Sequence, residues 1–163
     1  MREAIAIVVG LAVLGAVNWG IHGREQLLAE GRVVLLDLAP VDPRSLMQGD
    51  YMALRFKIAD DAFGRGRTKE SGDGRIVVNL DPRNVAAYVR RDDGTALAEG
   101  EAVLRYRVRN GEVKFATNAY FFQEGHARYY ERARYGEFRV APDGETILTA
   151  MRGEKLEILG PPR

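Results

Sequence analysis

From Ala4 to Ile21 the chain reads AIAIVVGLAVLGAVNWGI, eighteen residues without a formal charge. As a helix this run is roughly 27 Å long, close to the ~30 Å hydrocarbon core of a bilayer. The residues after it are dense in Arg, Asp and Glu. The contrast divides the chain into an N-terminal anchor with its helical extension, residues 1–30, and a soluble domain, residues 31–163. The anchor is expected to enter the lipid bilayer through residues 4–21, with Trp19 at the interface where amphipathic rings collect.

A cleaved signal peptide is the alternative. It needs a positive start, a short apolar core and an exit of small residues. Arg2 meets the first need, and Val13-Leu14-Gly15-Ala16 offers an exit, though inside the apolar run. No turn-forming cluster follows; the chain continues into Gln26-Leu27-Leu28-Ala29-Glu30, which can stay helical until Gly31. The reading therefore favours an uncleaved anchor over a signal or a buried soluble helix. Ala12, Ala16 and Gly20 recur at four-residue spacing, an interval that lets two helix backbones approach closely in lipid. Orientation is weakly determined, because Arg2 and Glu3 precede the run while His22, Arg24 and Glu25 follow it.

The remaining length suits one domain with its own core. The formal net charge is +1 and the two signs interleave, so a nucleic-acid partner, which requires a basic stripe, is not expected. The absence of cysteine fits any redox compartment. Arg65, Arg67 and Lys69 lie in a Gly-rich stretch read as a solvated loop, an anionic-lipid contact being the alternative.

Patterning is mainly that of strands: Val33–Val41, Tyr51–Ile58, Arg75–Leu80, Ala86–Arg91, Ala102–Arg109, Glu112–Thr117, Glu137–Val140, Thr146–Met151 and Lys155–Leu159. Asn110-Gly111 is the strongest hairpin signal. Leu104, Tyr106 and Val108 alternate with Arg105, Arg107 and Arg109, as in a sheet with one wet face. The expected class is mainly β (α+β): an N-terminal transmembrane helix, then a compact antiparallel sandwich or partly closed barrel with one short helix over Gln123–Arg134.

Two segments stand out as candidate sites. APVDPRSLMQGDY, Ala39–Tyr51, reads as a short helical turn with Asp42 as N-cap, Pro43 at the first position and Gly49 as the stop. Arg44, Ser45 and Gln48 would project from it, with Asp50 at the mouth of the next strand. YFFQEGHARYYERARYG, Tyr120–Gly136, gathers six aromatic rings around Gln123, Glu124, His126 and Glu131. It reads either as an amphipathic element packing on the sheet, with Glu131 paired to Arg128 or Arg134, or as one wall of a polar pocket shared with the first segment.

PVDPRSLMQGDYMALRF resembles the signature of the bacterial GDYXXLXY proteins, here Gly49-Asp50-Tyr51-Met52-Ala53-Leu54-Arg55-Phe56, with Phe in place of the final Tyr. Tyr120-Phe121-Phe122-Gln123-Glu124-Gly125 is similar to the same family. The resemblance implies a small protein of the bacterial inner membrane with one N-terminal helix and a periplasmic domain. It also implies genes beside multi-pass membrane proteins, but no activity.

Catalysis finds little support in the residues. His22 and His126 are the only histidines, and Asp42, Asp50, Asp60 and Asp61 lack the spacing of a calcium loop, so neither metal nor cofactor is expected. The single helix followed by a Pro-x-x-Leu-x-x-Gly-Asp turn is faintly similar to type I signal peptidases. Their nucleophilic Ser position falls here on Val41 or Pro40, and the chain's only serines are Ser45 and Ser71. The expected function is that of a non-enzymatic accessory subunit of a multi-pass membrane protein. Its contact residues would be Asp42, Arg44, Gln48, Asp50 and Tyr51, with Gln123, Glu124 and His126, while Ala12, Ala16 and Gly20 pack in the membrane. The alternative is a domain that binds a small ligand or peptide in a cleft lined by Tyr51, Tyr120, Tyr130 and Glu124.

Overall fold

The uncharged run and its extension form one helix, α1 (Arg2–Glu30), in a computed structural model that describes residues 2–39, 47–48 and 51–162, without the side chains of 2–6, 47 and 48. Residues 7–26 of α1 are exposed throughout, and the helix is long and apolar enough to cross a membrane. Its end is tied to the domain: Leu27 is buried, Gly31 N–H donates to Leu27 O, and Arg139 donates to Gly31 O. A Cβ on Gly31 would lie 2.4 Å from Leu27 O, so the helix-to-strand junction requires glycine.

The domain is mainly β, as expected. β1 (Arg32–Asp37), β9 (Tyr135–Val140) and β10 (Thr146–Arg152) form an antiparallel sheet in the order β1-β9-β10. β4 (Gly72–Leu80), β5 (Ala86–Arg91), β6 (Glu101–Arg109) and β7 (Glu112–Lys114) form a second, ordered β5-β4-β6-β7. β2 (Met47–Gln48), β3 (Tyr51–Ala53) and β8 (Ala119–Phe121) form a third, ordered β2-β3-β8.

One antiparallel sheet curls into a half-barrel, and two backbone seams tie the first sheet to the second. Leu35 N–H donates to Asn84 O at 2.8 Å beside the Leu35–Val85 bridge, and Arg105 N–H donates to Gly144 O at 2.9 Å. Gly144 has φ +87°, and a Cβ there would lie 2.9 Å from Val103 Cγ1. The β9–β10 turn can therefore sit on β6 only with glycine at that position.

The alternation anticipated in β6 holds: Ala102, Leu104 and Val108 are buried while Arg105, Arg107 and Arg109 are exposed. Asn110 and Gly111 take φ of 54° and 76°, closing the β6–β7 hairpin as their identities suggest. The core runs through all three sheets, with Val34, Leu36, Met52, Phe56, Ile76, Val78, Leu104, Phe115, Phe138 and Met151 almost wholly buried. Each such side chain contributes roughly 1.5–3 kcal/mol of transfer free energy.

Several boundaries differ from the sequence reading. The strand expected over Tyr51–Ile58 ends at Ala53, and a helix, α2 (Lys57–Phe63), follows. Met52, Leu54, Phe56 and Ile58 are all buried as anticipated, but from Ile58 the inward residues are Ala59 and Ala62, a helical interval. The helix expected over Gln123–Arg134 is absent. Only a single 3₁₀ turn, Ala127–Tyr129, forms, inside a run of three-residue turns from His126 N–H···O Gln123 to Ala133 N–H···O Tyr130. Gly125 enters this run at φ +79°. The last expected strand reduces to one bridge, Arg152–Ile158. Arg134 pairs with Asp37 across 3.2 Å, rather than with Glu131. Most of the Ala39–Tyr51 turn lies outside the described residues, but Met47–Gln48 are strand rather than helix.

Candidate functional site

The two segments singled out in the sequence lie side by side. β3 pairs with β8 in the register Tyr51–Phe121, Met52–Tyr120 and Ala53–Ala119, and Leu54 N–H donates to Asn118 O at 2.7 Å. β2 extends the sheet, with Gln48 opposite Tyr51. Antiparallel partners share a face, so the strands sort their side chains into two sets. Met52, Leu54 and Phe56 of the signature face the core. Tyr51 and Phe121 face outward, their rings tilted at 5.8 Å, and Phe121 is 74% exposed. A large apolar ring held in the open on a paired strand is the most conspicuous outward feature of this sheet.

Behind that pair the aromatic segment is filled. Tyr130 packs edge-on to Tyr120 at 5.1 Å and stacks on Phe122 at 5.3 Å. These three rings pack on one another rather than lining a cleft with Glu124, which is exposed along with Gln123. His126 is half-buried edge-on to Tyr129, which also packs against the core and has the Arg128 guanidinium 5.0 Å from its ring centre. The chain turns inward at Tyr130 to make the aromatic stack, and the resulting bend is what a continuous helix could not supply.

Burial, reinforced by the Tyr130 hydroxyl, pushes the Tyr120 hydroxyl up to about 12. An acid with a raised folded-state pKa favours folding below its unfolded value and loses that contribution as pH rises through the folded one. Stability should therefore decline between pH ~10 and ~12, by at most about 1.4 kcal/mol per pH unit from this group. Urea titrations in that window should show a shallower decline for Tyr120→Phe than for the parent chain.

A concavity of about 330 Å³ adjoins the signature, lined by Ala53, Leu54 and Arg55 together with Asp60, Val113 and Asn118. Arg55 Nη2 is anchored to Asp60 Oδ1 at 2.5 Å, so its charge is already matched. Asn118 Oδ1 is buried and accepts no hydrogen bond from the described residues. Such an unsatisfied carbonyl costs about 1–3 kcal/mol unless a donor reaches it. Asn118 carries no periodic or motif signal in the sequence; only the pairing of β3 with β8 brings it to the signature.

Of the other anticipated residues, Asp42, Arg44 and Asp50 lie outside the described residues, as does Ser45, and Gln48 is described by its backbone alone. Ala12, Ala16 and Gly20 are exposed, and nothing lies within 4 Å of a Cβ placed on Gly20. Trp19 is 82% exposed. The Gly-rich loop is held where Thr68 N–H donates to Gly111 O and where Glu70 pairs with Arg91, while Arg65, Arg67 and Lys69 stay exposed.

A family model described as GDYXXLXY protein matches residues 13–151, most of the chain. Neither the curated proteins nor the solved structures contain a match.

Proposed function

The chain belongs to the GDYXXLXY family, and from that premise we propose that it is a non-enzymatic, membrane-anchored envelope protein acting as an accessory subunit of a multi-pass inner-membrane protein. The observation that carries the proposal is the exposed Phe121 ring, set beside half-buried Tyr51 on the sheet that joins the signature strand to the second aromatic segment. The unpacked small-residue face of α1 supports it: Ala12, Ala16 and Gly20 can seat a partner helix in lipid. In this reading α1 crosses the inner membrane once and the β domain stands on its periplasmic side, where Tyr51 and Phe121 meet the partner's outer loops.

The test is purification of the tagged full chain from its native membrane in a mild detergent, with mass spectrometry of the co-eluting proteins. A multi-pass protein should co-elute at a fixed stoichiometry. Phe121→Asp should reduce its recovery at least tenfold without changing the unfolding midpoint, since Phe121 is mostly solvated already. Replacing Ala12, Ala16 and Gly20 together by Leu should have a similar effect. A lone protein, or co-elution insensitive to both variants, overturns the subunit reading.

A second reading is a small-ligand site in the concavity beside Ala53–Arg55. The buried, unsatisfied Asn118 Oδ1 favours it, because Asn118 is also among the residues that line the concavity. Ligand screening against the full chain and Asn118→Ala distinguishes it from the subunit reading.

A further inference from the structure

Where α1 joins the domain lies a larger cleft of about 680 Å³. Five cationic side chains converge on it: Arg24 from α1, Arg75 from β4, Arg105 and Arg107 from β6, and Lys114 from β7. Only two carboxylates, Asp73 and Glu145, share the lining. Three of the cations are matched, Arg24 with Glu145, Arg75 with Asp92 and Arg105 with Asp143. Asp73 is occupied by Arg109 at 2.7 Å.

Arg107 and Lys114 make no ion pair among the described residues and stand directly opposite each other across the β6–β7 pair, while Asp73, opposite Arg107 on β4, is taken by Arg109. Arg75 and Arg105 are likewise cross-strand partners. Like charges facing each other on neighbouring strands are destabilising; Arg75 and Arg105 are each offset by their own carboxylate, Asp92 and Asp143, which leaves Arg107–Lys114 as the repulsive pair that no ion pair offsets.

The lining is also strained just after Lys114. Ala116 holds φ +57°, and Thr117 N–H reaches back to Phe115 O at 2.6 Å in a tight turn, a conformation that costs an L-residue energy. Folding thus maintains a concentrated, partly unneutralised positive cleft. Its position is informative too. Arg24 follows the uncharged run by three residues, about 4.5 Å along a helix. If α1 spans the bilayer, this wall lies at the depth of the lipid phosphates.

We propose that the cleft is a binding site for a phosphate-bearing anion, held between the Arg107 and Lys114 pair and the guanidinium groups of Arg24, Arg75 and Arg105. Guanidinium donors match phosphate oxygens in pairs, and a bound anion would neutralise the cross-strand repulsion that the protein leaves open. Two sources present this chemistry, the headgroup of an anionic phospholipid and a soluble phosphate. The inference is independent of the subunit reading, since no cleft residue belongs to the β2-β3-β8 face.

The experiment uses the full chain in dodecyl maltoside, with inorganic pyrophosphate as the soluble probe in calorimetric titrations. In parallel, the chain is placed in nanodiscs of phosphatidylcholine with or without phosphatidylglycerol, and retained lipid is read by native mass spectrometry. Saturable pyrophosphate binding that weakens steeply with salt would indicate a soluble phosphate. Selective retention of phosphatidylglycerol without pyrophosphate binding would indicate a lipid headgroup. In either case Arg107→Gln with Lys114→Gln should weaken the interaction at least tenfold while raising the thermal unfolding midpoint by a few degrees, because the repulsive pair is gone. Failure to bind either probe, binding unchanged in the double variant, or a lowered midpoint in that variant would each overturn the proposal.

Discussion

Phe56→Ala is expected to destabilise the domain by about 3–5 kcal/mol, as measured by urea unfolding of the full chain in detergent. Phe56 is 2% exposed, and its ring meets Phe138 edge-on at 5.4 Å and Phe115 at 6.4 Å. Gly136 makes room for it: a Cβ there would lie 3.0 Å from Phe56 Cε1. Truncation to alanine removes the transfer term and leaves a void that three sheets would have to collapse to fill, whereas typical domains have only about 5–15 kcal/mol in hand. This residue occupies the last position of the family signature, where the family name has Tyr. Its burial assigns the ring a packing role. A measured loss below about 1 kcal/mol would show that the ring does not organise the core.

The second large effect concerns the one carboxylate buried in β9. Glu137 is 7% exposed, and its carboxylate accepts from Arg152 Nε and from Thr149 Oγ1. Arg152 also donates to Leu156 O, tying the C-terminal segment to β10. Arg152→Ala strands the Glu137 charge in a poorly solvated place. The expected cost is about 3 kcal/mol, at the low end for broken buried pairs, because the Arg152 side chain keeps 24% of its surface. Replacing both partners, Glu137→Leu with Arg152→Met, should cost less than Arg152→Ala alone, since no orphaned charge remains. A double variant less stable than the single one would show that the pair is worth more than the hydrophobic packing that could take its place.

Local chemistry explains which elements were legible beforehand. The β6–β7 hairpin follows from Asn110-Gly111, two residues that tolerate positive φ at little cost. β5 begins and ends where its apolar alternation does, at Ala86 and Arg91. α1 follows from an uncharged run that no ordinary surface helix would carry. Each of these depends on residues within a few positions of one another.

The aromatic segment is less legible in the sequence because its decisive contacts are not local. Spacing alone allowed a helix over Gln123–Arg134, but Tyr130 turns in to Tyr120 and Phe122, and those contacts outweigh helix propensity. The α2 helix was missed for the opposite reason: the alternation through Met52, Leu54, Phe56 and Ile58 is real, and it hid the change of period that begins at Ile58. As for the candidate sites, Tyr51 and the second aromatic segment were both singled out. Their adjacency rests on the pairing of β3 with β8 across more than sixty residues of sequence. Arg24, Arg105 and Lys114 came together in the same way, from α1, β6 and β7.

By itself the sequence determined the long apolar N-terminal helix, the mainly β character, the hairpin and the buried face of the signature, because charge, backbone preference and side-chain period act over a few residues. The tertiary structure alone decided which strands became neighbours, where the aromatic rings were filled or left open, and which cations were gathered into one cleft. Those outcomes depend on register between distant strands, and a period-two pattern is satisfied equally by many partners until the whole core is packed.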